Sequence, residues 1–239
     1  MTPEPRFEFH EELRELEQLA VSTGDLAVTA LDQAVEAVVN NDVELASIVI
    51  ESDDSIDGRY LEVHQGLLSL LARQSPVASD LRLVAALLHI IVHIERIGDL
   101  CVNMAKLVPL MGESPPSSHE IIAKIEAAGA QAHDQIKQAQ TAFAERNLQL
   151  AEDLVRQDDL IDRLNREVFN AAIEIGGGEV EAREWAAHMM LIARYLERIG
   201  DHTVDIGEQI AFVVSGLFRE FTDASRPDVL ARDWDRGSR

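Results

Sequence analysis

The hexapeptide IERIGD at residues 94–99 returns as LERIGD at residues 196–201, which is a shift of 102 positions. Upstream, DDSID at residues 53–57 returns as DDLID at residues 158–162, a shift of 105 positions. Two matches in the same order are difficult to produce by chance, and we expect a shorter loop after the fifth helix to account for the three-residue difference. We therefore expect the chain to contain two copies of one structural unit.

Each copy has the pattern of three long helices. Proline costs ~3 kcal/mol inside a helix, and the stretches 6–75, 77–108 and 117–226 contain none and are rich in good helix formers. Apolar residues recur at steps of three and four, and the alternation typical of strands is rare. We predict an all-α fold of two tandem three-helix bundles. The predicted helices are 7–40, 42–74, 77–110, 118–145, 147–175 and 180–220.

Capping residues and loop signals set the predicted boundaries. Asp42 and Asn147 are predicted N-caps, and loops are expected at 109–118 and at the glycine run 176–178. The first repeat is assigned to residues 7–112 and the second to residues 117–220, followed by a flexible tail at 221–239.

Composition excludes several classes of function. The 239 residues include 21 Lys and Arg against 43 Asp and Glu, a net charge of −22 that disfavours nucleic-acid binding. The longest nearly apolar stretch, 83–94, is 12 residues long, whereas a membrane-spanning helix needs ~20. The N-terminal residues lack the apolar core of a secretory signal, and Cys101 is the single cysteine. We expect a cytoplasmic protein without direct membrane insertion.

The repeated motifs carry pairs of acidic residues four positions apart, which places both members on one helix face. Such like-charge pairs cost ~0.2–0.5 kcal/mol each, and the apolar spacing puts them on or beside the buried seam. On the third helix of each copy, the residue one turn beyond the acidic pair is also polar: an asparagine in the first copy and an aspartate in the second. The candidate metal ligands are Asp53, Asp57, Glu95, Asp99 and Asn103, and Asp158, Asp162, Glu197, Asp201 and Asp205.

All-oxygen clusters of this kind suit hard cations such as Mg²⁺, Mn²⁺, Ca²⁺ or iron. Gly98 and Gly200 adjoin the motifs although a mid-helix glycine costs ~1 kcal/mol, so we expect a neighbouring backbone or a ligand to approach closely there. The alternative is that no metal binds, because the carboxylates face water or because nearby arginines neutralise them. The candidate arginines are Arg82, Arg96, Arg194 and Arg198.

Other groups of potential ligand or catalytic residues give weaker signals of function. His89 and His93 share a face of an apolar helix and are interpreted as core or edge residues, whereas His202, beside Asp201, is a candidate extra ligand. Cys101 is interpreted as a small core residue. The Glu-x-x-His pairs of ferritin-like sites and the local signatures of nucleophilic catalysis are absent from the sequence.

These motifs, together with ASDLRLV at 78–84, resemble the PhoU family of phosphate signalling regulators over residues 7–220. The resemblance implies two similar three-helix bundles and a cytoplasmic, dimeric regulator without enzymatic activity. It also implies two partners: the ATPase subunit of the high-affinity phosphate ABC transporter, and the sensor histidine kinase of the phosphate-starvation response. Some members bind multinuclear iron or other metal clusters, zinc among the candidates, at E(D)xxxD motifs, which correspond here to 53–57, 95–99, 158–162 and 197–201.

Two alternatives use the same residues. The carboxylates could form the site of a carboxylate-bridged metalloenzyme, or the chain could be a metal-free helical scaffold. Replacing Asp99 and Asp201 by Asn would be neutral or stabilising in the scaffold, because like-charge repulsion falls. We favour the regulator, because the motifs lack an evident general base or histidine-bearing ligand set.

Overall fold

The computed structural model describes residues 5–112, 118–175 and 179–221. Within these ranges the protein forms six long α-helices and no strand, as predicted. A single 3₁₀ turn, Val108–Met111, follows the third helix. The helices are α1 (Pro5–Asn40), α2 (Val43–Arg73), α3 (Ala78–Leu107), α4 (His119–Glu145), α5 (Leu148–Ile175) and α6 (Val180–Ser215). The shorter loop expected after the fifth helix was wrong: α5 has 28 residues against 31 in α2, so the three-residue difference falls within the helix.

The turn between the first two helices of each repeat is built in the same way. Asn41 and Arg146 adopt the left-handed conformation, with φ values of 52° and 53°. The next residue caps the following helix: Asp42 Oδ1 accepts from the Leu45 N–H at 2.9 Å, and Asn147 Oδ1 accepts from the N–H of residue 150 at 3.2 Å. Both predicted N-caps are therefore confirmed, and each satisfies a backbone donor that the helix leaves open.

Two helices end earlier than predicted. After α3 the chain tightens into the 3₁₀ turn at Val108, since Pro109 cannot donate the next helical hydrogen bond. Helix α6 ends at Ser215 rather than at residue 220, because Gly216 takes φ +74° and its N–H bonds back to Phe212 O at 2.9 Å. The glycine run 176–178, residues 113–117 of the predicted loop and residues 222–239 of the predicted tail lie outside the described residues.

Within each repeat the three helices pack on one another, and the repeats meet along α3 against α6 and α1 against α4. One apolar core runs through both repeats, and Cys101 is fully buried in it, as expected. Burial raises the pKa of the Cys101 thiol. The α1–α4 seam is bridged by the ion pairs Asp25–Lys137 and Glu17–Arg146 and by a 2.8 Å contact between His133 Nδ1 and Asp32 Oδ1. None of the described helices has the length and apolarity needed to cross a lipid bilayer.

Candidate functional site

In the first repeat the acidic pairs of α2 and α3 lie close enough to repel one another. The pKa of Asp53 is raised by burial and then by the charges of Asp57 and Asp99. The pKa of Glu95 is raised by burial and then by Asp99, against the lowering effect of Arg96. The fold therefore brings the four motif carboxylates of this repeat into one electrostatic group, although they come from segments about 40 residues apart.

The second repeat holds the same arrangement at greater depth. Burial, followed by the charges of Asp201 and Asp162, raises the pKa of Asp158 to about 7. Burial and the charge of Asp201 raise the pKa of Glu197 to about 7, against the lowering effect of Arg194. Asp158 Oδ1 and Glu197 Oε2 are buried without a hydrogen-bond partner. Two buried oxygens that lack donors are the kind of acceptor that a bound cation would satisfy.

The two motif glycines make room for an aspartate of the neighbouring helix. A methyl group on Gly200 would overlap Asp158 Oδ1 and lie 3.2 Å from Ile161 Cδ1. A methyl group on Gly98 would lie 3.4 Å from Asp53 Oδ1 and 3.0 Å from the equivalent isoleucine, Ile56. The expected approach of a neighbouring backbone or a ligand is not what the structure shows. Side chains lie nearest to both glycines: Asp158 at Gly200, and Ile56 followed by Asp53 at Gly98.

Arginines neutralise part of each cluster. Arg96 Nη1 lies 3.1 Å from Asp99 Oδ2, and its Nε lies 3.4 Å from Glu95 Oε2. Arg194 pairs with Glu197 in the second repeat. Of the four arginines expected in this role, Arg96 and Arg194 take it; over residues 5–112, 118–175 and 179–221, Arg82 and Arg198 form no ion pair with a carboxylate.

Sequence reasoning missed one arginine of the second cluster. Arg166 Nη1 lies 3.4 Å from Asp162 Oδ2, one helical turn along α5. The i,i+4 spacing was the available signal, because an acidic residue four positions before a basic one favours such a pair on a helix.

The carboxylate clusters do not close on a single point in this conformation. In the described part of the chain, no three motif carboxylates have their oxygens within 4.8 Å of one another. Side-chain rotation would be needed to bring them onto one ion, and the metal set predicted from the motifs stays a prediction. The residues one helical turn beyond the motif pairs also differ between the repeats. Asn103 is half-buried on α3, while Asp205 lies beside two histidines.

Those histidines stand where α3 meets α6. His93 Nδ1 lies 3.2 Å from His202 Nδ1, and Asp205 Oδ2 lies 3.5 Å and 3.8 Å from these two nitrogens. Burial lowers the pKa of His93, which favours its neutral form. His89, on the same helix, is exposed, in keeping with an edge role. The partner of His93 is 109 residues away along the chain, so the sequence carried no local signal for this contact.

Comparison with known proteins places both repeats in one family. The model of the PhoU domain matches residues 21–108 and again residues 125–210. A relative from Clostridium acetobutylicum, named phosphate-specific transport system accessory protein PhoU homolog, is 31% identical, with coverage of 90% of this chain and 98% of its own. PhoU homolog 1 of Thermotoga maritima is 31% identical over 80% of this chain and 82% of its own.

Solved structures agree with the helical architecture. PhoU from Pseudomonas aeruginosa superposes with a TM-score of 0.81 at 28% identity and covers 87% of this chain and 100% of its own. The phosphate transport system regulatory protein PhoU from Streptococcus pneumoniae superposes with a TM-score of 0.80 at 24% identity, over 88% of this chain and 99% of its own, which shows the fold. With both repeats matched by the family model, the chain belongs to the PhoU family.

Proposed function

We propose that this protein is a cytoplasmic regulator of phosphate homeostasis. It restrains the high-affinity phosphate ABC transporter through the ATPase subunit, and it holds the phosphate-starvation sensor kinase inactive while phosphate is plentiful. The observation that carries the proposal is the PhoU-domain match over both repeats, together with relatives named as accessory proteins of phosphate-specific transport. Those names describe accessory proteins, so we do not propose an enzyme. We also expect the protein to act as a homodimer.

The surface of the second repeat supports a function in protein binding. A groove of about 660 Å³ between α5 and α6 is lined by Phe169, Met190 and Leu191 and flanked by Arg166 and Arg194. Phe169 and Leu191 are exposed. Soluble proteins rarely expose large contiguous apolar patches, and such patches often mark sites of protein–protein interaction.

Deleting the gene is expected to switch on phosphate-starvation genes in phosphate-rich medium, and returning the wild-type gene is expected to silence them. Leu191→Asp is expected to restore silencing less well than wild type, because a charge in the groove opposes apolar contact. Leu110→Asp is the matched control, since Leu110 is also exposed but lies outside the groove.

The same variants are tested in pull-downs against the transporter ATPase subunit and the sensor kinase. The proposal requires that wild type and Leu110→Asp bind at least one of the two, and that Leu191→Asp binds less. Unchanged gene expression on deletion, with no binding to either partner, would overturn the regulatory proposal.

We further propose that the motif carboxylates hold metal ions. Asp53, Asp57, Glu95 and Asp99, with Asn103 nearby, would hold one cluster; the second would be held by Asp158, Asp162, Glu197 and Asp201, with Asp205 at its edge. Mutual repulsion and the unpartnered oxygens of Asp158 and Glu197 support the proposal. Oxygen ligands favour iron, Mn²⁺, Mg²⁺ or Ca²⁺, and bound ions would cross-link α2 to α3 and α5 to α6.

Arg194→Ala is expected to tighten Mn²⁺ binding about fivefold, since the arginine occupies Glu197 and competes with the metal. The figure corresponds to about 1 kcal/mol, a value at the upper end for exposed ion pairs, since Arg194 is exposed and Glu197 is buried. Isothermal titration of chelator-treated protein measures the affinity, and Arg156→Ala is the control because Arg156 pairs with Asp153 on the exposed side of α5. Absence of Mn²⁺ and Fe²⁺ binding in wild type and Arg194→Ala alike would favour the metal-free scaffold.

A further inference from the structure

A third group of ligand-type side chains lies where the two repeats meet, apart from the paired carboxylate motifs of α2 and α5. His93 comes from α3, and His202 and Asp205 come from α6. Among the described residues this is the one trio of histidine, cysteine or acidic side chains whose candidate ligand atoms all lie within 4.8 Å of one another. The group therefore joins the first repeat to the second.

The distances within the trio match those around a bound ion. Metal–nitrogen and metal–oxygen bonds of 2.0–2.2 Å in a tetrahedral arrangement separate neighbouring ligand atoms by about 3.3–3.6 Å. The nitrogens of His93 and His202 are 3.2 Å apart, and Asp205 Oδ2 lies 3.5 Å and 3.8 Å from them. All three separations fall within a few tenths of an ångström of that range, without any side-chain rotation.

Hydrogen bonding alone leaves the trio incompletely satisfied. The two facing Nδ1 atoms can share one proton, which accounts for their 3.2 Å contact. Asp205 Oδ2 is too far from either nitrogen for a good hydrogen bond. One cation between the three atoms would bind both facing Nδ1 atoms and the carboxylate oxygen together.

We propose that His93, His202 and Asp205 form a mononuclear site for a transition-metal ion of the Zn²⁺ class, which fastens α3 to α6. Two imidazoles and one carboxylate suit Zn²⁺ better than the hard cations that all-oxygen clusters prefer. Asp205 is 45% exposed, so the fourth position opens to solvent and takes water. The site adjoins the second carboxylate cluster on α6 and shares Asp205 with its edge, but His93 and His202 belong to no motif pair and set it apart.

The internal repeat predicts that there is one such site in each chain. At the shift of 102 positions, His93 corresponds to Tyr195, and His202 and Asp205 correspond to Leu100 and Asn103. Tyrosine, leucine and asparagine do not reproduce the ligand set. One tightly bound equivalent of Zn²⁺ per chain is therefore expected.

Co²⁺ titration of the chelator-treated, full-length protein tests the site, because Co²⁺ substitutes for Zn²⁺ and absorbs visible light most strongly in tetrahedral sites. We expect one equivalent to produce this absorption and Zn²⁺ to abolish it. His93→Gln and His202→Gln should weaken Co²⁺ binding at least tenfold. His89→Gln, on the exposed side of α3, is the matched control and should bind like wild type.

Metal-free melting and circular dichroism show whether each variant folds, and His93→Asn or His202→Asn replaces any glutamine variant that does not fold. Zn²⁺ is expected to raise the melting temperature of wild type and His89→Gln but not of the ligand variants. Equal Co²⁺ absorption in wild type and His93→Gln would overturn the proposal, as would its absence from wild type. A signal lost in Asp158→Asn but kept in His93→Gln would assign the metal to the carboxylate cluster and equally overturn it.

Discussion

Replacing Asp158 by Asn is expected to stabilise the metal-free protein by about 2–4 kcal/mol at pH 8. In the folded protein, burial and the charges of Asp201 and Asp162 raise the pKa of Asp158 to about 7, whereas an unfolded chain leaves an aspartate near 3.9. Each unit of difference is worth ~1.4 kcal/mol, and partial solvent access and coupling to the neighbouring carboxylates reduce the full value. Asn keeps the shape and removes the charge.

The sign of the pH dependence follows from the raised pKa. Between pH 4 and pH 7 the folded state holds a proton on Asp158 that the unfolded state has released, so wild-type stability falls as the pH rises through this window. Above pH 7 Asp158 is ionised in both the folded and the unfolded state, and the loss of stability is complete. The stabilisation by Asp158→Asn should therefore be greatest at pH 8, smaller at pH 5 and absent below pH 4.

Urea unfolding at pH 5, 6.5 and 8, with chelator present, measures this effect. Asp134→Asn is the control, since Asp134 is exposed on α4 and should leave the free energy of unfolding within about 0.5 kcal/mol of wild type at each pH. A loss of stability at pH 8 in the Asp158 variant would show that favourable contacts hold the charged carboxylate, which would contradict the repulsion argued here.

Metal should reduce the difference in stability between wild type and Asp158→Asn. An ion that binds the folded state at a concentration 100 times its Kd adds ~2.7 kcal/mol to the free energy of unfolding. Mn²⁺ or Fe²⁺ is therefore expected to stabilise wild type and to have a smaller effect on Asp158→Asn, because the variant lacks one ligand charge. If these ions stabilise wild type and Asp158→Asn equally, they bind elsewhere, and the proposal for the second carboxylate cluster is wrong.

Local features of this fold could be predicted from the sequence because their causes are local. Asp42 and Asn147 cap helices through contacts three residues away, and the repeated motifs identified the two units. The end of α6 was placed too late because Leu217 and Phe218 continue the apolar spacing. Gly216 nevertheless leaves the helix there, and both apolar residues remain exposed.

The candidate site residues also divide into those whose positions have local causes and those whose positions depend on packing. That the motif pairs would share a helix face followed from spacing, whereas their grouping across α2 and α3 or α5 and α6 depends on how the helices of each repeat pack. The contact of His93 with His202 depends on how the repeats pack against each other, which neither repeat encodes alone. The arginine pairing was also only partly foreseen, since Arg96, Arg194 and Arg198 are all near the motifs and only geometry selects among them.

Gly200→Ala is expected to destabilise the protein by up to about 2 kcal/mol, although alanine is the better helix former. The substitution gains ~1 kcal/mol of helix propensity, but the new methyl group overlaps Asp158 Oδ1 and stands 3.4 Å from Asp158 Cγ and 3.2 Å from Ile161 Cδ1. The Asp158 carboxylate must turn away from the methyl group within a buried site, and overpacking of this kind costs about 1–3 kcal/mol. Chelator-treated protein is unfolded in urea at pH 6 to measure the change.

Gly58→Ala is the matched control, because Gly58 is mid-helix in α2 with no heavy atom within 4 Å of the added methyl group. It should stabilise the protein by about 0.5–1 kcal/mol. Truncating the aspartate tests the cause directly: if Asp158 is the obstacle, Gly200→Ala should cost much less in an Asp158→Ala background than in wild type. An equal cost in both backgrounds would assign the strain to Ile161 or the helix itself. The glycine would then serve helix packing and not the placement of a carboxylate between the helices.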